Sequence, residues 1–144
     1  MDAAGIALVQ STFQAVAPSA DRLSRLFYDR LFELDWSLRS MFPEDLVGQR
    51  QKLIDELIAI VDCIGRIHEL VARTTDLGSR HAEYGVEPQH YDLVLDALLY
   101  AMTTCAPEAM TPDAIAAWRR AYHLIAETMM HGATHGPSTP RTSG

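Results

Sequence analysis

Apolar residues recur at three- and four-residue spacing along almost the whole chain, and nowhere do they alternate with polar ones at the period of a strand. That pattern restricts the protein to packed helices, an all-α fold. Ile6, Val9, Phe13 and Val16 draw the first stripe, which Pro18 interrupts. Leu23, Phe27, Leu31 and Leu34, with Phe32 beside them, draw a second, which Ser19 or Asp21 can cap. After Asp35 a short segment leads to Phe42-Pro43, where the proline keeps Phe42 out of mid-helix and turns the chain. The next helix runs from Leu46 through Leu53, Leu57 and Val61, and Ile64, Ile67, Leu70 and Val71 extend the helical pattern to Thr74. Leu77 and His81 then form a separate short turn of helix, ended by Tyr84-Gly85-Val86. Two long helices follow. One runs from about Pro88 with Tyr91, Val94, Leu98, Met102 and Cys105 inward; the other is opened by Thr111-Pro112-Asp113 and carries Ile115, Trp118, Tyr122, Ile125 and Met129.

A chain of 144 residues is one domain of ordinary size, long enough to bury a core and enclose a cavity. Residues 1–131 are expected to form it, with 132–144 a flexible tail, since Pro137, Pro140 and the Ser, Thr and Gly around them offer no apolar face to dock. Twelve basic residues against nineteen acidic give a net charge of −7, which argues against a surface built to neutralise nucleic-acid phosphates. The N-terminus lacks the basic start of a signal peptide, and apolar runs such as Leu57 to Val61 are far short of the roughly twenty residues that span a bilayer. Cys63 and Cys105 are too few and too far apart for a disulfide framework and suit free thiols in a reducing cytoplasm.

Three polar residues sit where this patterning calls for hydrocarbon. Gln49 occupies an inward position of its helix, and a buried amide without a partner costs about 1–3 kcal/mol. Tyr28 lies on the edge of the second stripe, and His81 on the inward side of the short turn. On spacing alone an inward histidine is more often a hydrogen-bonded core residue than a metal ligand. The three together are better explained, since an imidazole can ligate iron while a phenol and an amide stabilise the negative charge that a diatomic gas gains there. His131 and His135 have the four-residue spacing of a zinc pair, but Gly132 and Gly136 make that a poor helix.

Several stretches add up to a family resemblance: Leu26-Phe27-Tyr28-Asp29-Arg30-Leu31-Phe32, Met41-Phe42-Pro43-Glu44-Asp45, Gln49-Arg50-Gln51-Lys52-Leu53, Leu77-Gly78-Ser79-Arg80-His81 with Tyr84-Gly85-Val86, and Ala117-Trp118 with Ala121-Tyr122. Over about residues 5 to 131 the chain resembles a bacterial single-domain globin, the globin part of a flavohaemoglobin without its reductase. The resemblance implies six to eight helices around a haem pocket holding haem b. His81 would be the proximal iron ligand, its other ring nitrogen donated to a backbone carbonyl such as that of Leu77. Phe42 would pack on the porphyrin, and Tyr28 and Gln49 would form the distal pair. Leu53 would close the apolar side of the ligand cavity, with Leu57 and Leu98 behind it. Val86, Tyr91 and Val94 would line the proximal or lateral edge, and Lys52 would reach a haem propionate.

Two positions depart from the family. Trp36 stands where globins usually carry a proline, so the path to Phe42 is expected to differ. A glutamate that ties down the proximal histidine in flavohaemoglobins falls on Ala133, which weakens the electron push toward oxygen–oxygen cleavage. The resemblance therefore implies reversible binding of oxygen, nitric oxide or carbon monoxide, in storage or transport, ahead of catalysis. The alternatives are nitric oxide dioxygenation with a separate reductase, since 144 residues leave no room for a flavin module, and a haem-based sensor. A globin fold that has lost its haem fits poorly with the presence of His81, Phe42, Tyr28 and Gln49.

Overall fold

The computed structural model describes residues 2–135 and builds them from six α-helices and two short 3-10 helices, with no strand among the described residues. Helix α1 (Ala3–Val16) begins where the Asp2 carboxylate accepts the Gly5 amide at 2.8 Å. Pro18 then sits in a 3-10 turn, Ala17–Ser19, that leads straight into α2 (Ala20–Leu34). The expected caps are not made. Ser19 holds the N-cap position without a side-chain bond, and Asp21 pairs instead with Arg25 at 2.9 Å. With the preceding turn already wound, there is no extended residue from which a side chain could reach back.

The second 3-10 helix, Trp36–Met41, starts on Asp35, whose carboxylate accepts the Ser37 amide at 3.0 Å. Helix α3 (Val47–Cys63) follows, and the chain breaks at residues 64–66 before α4 (Ile67–Glu83). This differs from the sequence expectation: His81 belongs to the last turn of a continuous seventeen-residue helix, not to a separate short one. The polar run Thr74-Thr75-Asp76 reads as a gap, yet Thr74 is fully buried and its Oγ1 lies 2.7 Å from the Leu70 carbonyl oxygen.

Helix α5 (His90–Cys105) and helix α6 (Pro112–His135) complete the fold, the latter capped by Thr111, whose hydroxyl oxygen accepts the Ala114 amide at 3.2 Å. The expected tail is shortened by this helix. Residues 132–135 are helical, and positions 136–144 lie outside the described residues. Gly132 is buried, because α4 lies against α6 there closely enough to exclude a side chain.

The core lies where α4 packs on α6, α2 on α5 and α1 on α6. Leu23, Leu70, Val16 and Met102 are almost wholly removed from water, each contributing about 1.5–3 kcal/mol. The buried polar groups are paired: the Trp118 indole donates to Thr12 Oγ1 at 2.7 Å, and that hydroxyl donates to the Leu8 carbonyl at 2.6 Å. Cys63 is buried, Cys105 half-buried, and both are free. No described helix is long and apolar enough to cross a membrane.

Candidate functional site

Helix α4 ends in a motif that fixes His81 from two sides. Gly85, at φ +89°, lets the chain reverse, so that its own amide reaches the Ala82 carbonyl at 3.0 Å and the Val86 amide reaches the His81 carbonyl at 3.1 Å. The side chain is held as well. His81 Nδ1 lies 2.8 Å from the Leu77 carbonyl oxygen, which can only accept, so Nδ1 carries the proton and the neutral ring keeps its lone pair on Nε2. Burial pushes the imidazole below its usual pKa; the Leu77 bond opposes this, Arg80 adds to it, and the Glu56 carboxylate opposes it.

Tyr28 on α2 is 4% exposed, and the half-buried Gln49 of α3 lies near enough to its phenol to act on it. Burial raises the Tyr28 pKa, an effect that Gln49 partly offsets. The Phe42 ring stands edge-on to Tyr28, 5.5 Å between centroids, and 5.6 Å from Phe32, so one aromatic wall includes the phenol.

Sequence reasoning missed what fixes Phe42. The Arg39 guanidinium donates to the carbonyls of Phe42, Pro43 and Glu44 at 3.4, 2.9 and 2.7 Å, and lies 5.5 Å from the Phe32 ring centroid. One planar fork thus ties the turn after the 3-10 helix to the aromatic wall. Trp36 opens that helix, 71% exposed, with its ring edge-on to Phe32 at 6.2 Å.

The two halves of the site are joined by α3 and by Met41. Gln49 meets Tyr28 near the start of α3; two turns later Glu56 acts on His81 and pairs with Arg73 of α4 at 2.7 Å. The Met41 methyl comes within 4.0 Å of where a Gly85 side chain would begin. Leu53, Leu57, Val86 and Val94 are half-buried against the core, Tyr91 and Leu98 are buried, and Lys52 is exposed. The Tyr122 hydroxyl, also unforeseen, donates to the Tyr91 carbonyl at 2.6 Å, and burial pushes its pKa far up.

Other candidates lie apart. Ala133 is exposed on α6, with no carboxylate to offer. The α6 helix does run through His131 to His135, but no group of three metal-binding side chains occurs among the described residues. His90 accepts the Glu87 amide at 2.9 Å, and His68 and His123 are exposed. A surface hollow of about 440 Å³ beside Asp96, Tyr100 and Arg119 lies outside the site.

The family model for globins matches residues 25–129. The flavohemoprotein of Bacillus subtilis is 28% identical over 133 residues, which span 90% of this chain and 33% of that protein. The chain thus covers about a third of the length of such relatives. A globin-like protein of Aquifex aeolicus is 27% identical over 127 residues, covering 87% of this chain and 88% of its own. Among solved structures, an engineered carbene transferase derived from a Rhodothermus marinus protein described as a nitric oxide dioxygenase superimposes with a TM-score of 0.82 at 26% identity, over 93% of this chain and 94% of its own. A bacterial globin from Campylobacter jejuni gives 0.80 at 18% identity, over 92% and 96%, a likeness of fold.

Proposed function

This chain belongs to the globin family, and from that premise we propose that it binds haem b and, through it, oxygen, nitric oxide and carbon monoxide reversibly. When bound, the haem supplies the ferrous iron at which a diatomic gas coordinates. His81 is the axial ligand in this reading. The observation that carries it is the His81–Leu77 bond: Nδ1 donates to a carbonyl one turn back, leaving the Nε2 lone pair of a neutral, oriented imidazole for iron. Burial favours that neutral form.

Tyr28 and Gln49 form the distal pair. The phenol keeps its proton well above neutral pH, and Gln49 both orients it and brings an amide donor of its own. Donors held in a low-dielectric pocket stabilise a gas that has gained negative charge. Phe42, Leu53, Leu57, Val86, Tyr91, Val94 and Leu98 supply the walls of the pocket. Lys52 offers a cation at its rim for a propionate.

The test is an absorption spectrum of the protein offered haem. A Soret band is expected in the wild type, and His81→Ala should abolish it or shift it markedly. A colourless wild-type protein would refute the proposal.

A second reading, nitric oxide dioxygenation, is favoured by the flavohemoproteins among the relatives and by the neighbour described as a nitric oxide dioxygenase. Oxygen and nitric oxide then combine to nitrate, and a separate reductase returns the electron. Ala133 weighs against it, because no carboxylate from α6 can make the imidazole more anionic. Nitrate formation over many turnovers with an added reductase would decide for the enzyme; its absence leaves oxygen storage or transport, in a cytoplasm where both thiols stay reduced.

A further inference from the structure

Helices α4 and α6 touch through two glycines placed reciprocally. A Cβ built on Gly78 would lie 1.9 Å from the Met129 carbonyl oxygen and 2.4 Å from its carbonyl carbon. One built on Gly132 would lie 1.9 Å from the Thr75 carbonyl oxygen and 2.8 Å from its carbon. Each helix therefore offers a glycine to a carbonyl of the other, with glycine and carbonyl three residues apart on both. Real Cβ atoms essentially never come within 3.0 Å of a neighbour, and the obstacle here is backbone. No rotamer change can clear it, so a methyl at either position must part the helices by about 1 Å. One turn back along α4, Thr74 and Thr128 are hydrogen-bonded through their hydroxyls across the same interface.

We infer that Gly78 and Gly132 are positioning residues for the His81 imidazole, setting how deeply α4 carries it into the fold. Gly78 lies three residues before His81 and next to Leu77, whose carbonyl holds Nδ1. The Val86 amide closes the same turn onto the His81 carbonyl. A helix secured at both ends of one turn moves as a unit, so parting α4 from α6 displaces the ring with it. The inference rests on the proposal that His81 ligates iron, and it gives two glycines a role that packing alone would not.

The test compares Gly78→Ala, Gly132→Ala, the double variant and Gly48→Ala, whose added methyl meets nothing within 4 Å. Two signals report on the ring: the iron–imidazole stretching band of the ferrous, gas-free protein, and, in the haem-free protein, the NMR signal of the His81 Nδ1 proton with its rate of exchange with solvent. Each clashing variant is expected to shift the band and to speed exchange on the order of tenfold. Gly48→Ala should change neither. Because one separation of the helices admits both methyls, the double variant should shift the signals no further than the larger single one. Variants that fold with lowered stability but wild-type ring signals would overturn the inference, as would shifts that simply add. Gly132 lies in the last turn of α6, so Gly132→Ala decides the matter alone if Gly78→Ala does not fold. Should His81→Ala keep its Soret band, the ligand assignment fails, while the haem-free proton signal still judges the glycines.

Discussion

The amide of Val86 donates to the carbonyl of His81 at 3.1 Å, so helix α4 closes on the very residue whose ring is bonded one turn back to Leu77. The closure depends on Gly85, the sole residue with positive φ among the described residues, at +89°. An L side chain in that region costs roughly 1–2 kcal/mol. Gly85→Ala should lower stability by about that amount in urea unfolding and expose the Val86 amide to hydrogen exchange. An unchanged midpoint would show that the turn does not need its glycine.

Replacing the buried phenol tests the distal pair. A hydrogen bond to a charged group contributes about 1.5–3 kcal/mol, or roughly ten- to a hundredfold in a rate. Tyr28→Phe should therefore speed oxygen dissociation by about that factor in stopped-flow measurements. An off-rate equal to wild type would remove Tyr28 from ligand stabilisation.

The pH dependence of the haem-free protein should fall off on both sides. His81 titrates below its usual 6.5 in the fold, so the unfolded chain takes up the proton first, and stability declines as pH drops from about 6.5 toward the folded value. Tyr28, Tyr91 and Tyr122 titrate above 10. There the unfolded chain loses protons first, and stability declines as pH rises past about 10. His81→Gln should flatten the acid limb in urea titrations; an undiminished limb would assign it to other groups.

Thr12→Val leaves the buried Trp118 indole N–H without its 2.7 Å acceptor. The expected loss is about 1–3 kcal/mol. Adding Trp118→Phe, which deletes the orphaned donor, should cost less than the sum of the two single changes. Strict additivity in a double-mutant cycle would mean that the bond contributes nothing of its own.

Much of this architecture could be read before any coordinates. The inward stripes of α2, α3, α5 and α6 are set by local spacing, and the Thr111 cap and Gly85 stop use chemistry confined to a few residues. Gln49 could be singled out as an amide on a largely apolar stripe, and the fold brings it near the Tyr28 phenol. The rest depends on residues distant in sequence. The helical pattern read from the sequence stops at Thr74, which Thr128, fifty-four positions on, meets across a buried interface, and α4 runs through unbroken. Gly132 looks like a helix breaker until the Thr75 carbonyl requires the absence of a side chain there. Nothing nearby in sequence marks Arg39, and only the folded turn brings three carbonyls to its guanidinium.

The bond between Thr12 and Trp118 spans 106 positions, and α1 has α6 as its main packing partner. During synthesis the first helix therefore emerges long before the surface it must cover exists. Val9, Phe13 and Val16, buried in the finished molecule, face solvent until more than a hundred further residues have left the ribosome. For that interval the nascent chain is a target for chaperones that grip exposed hydrocarbon.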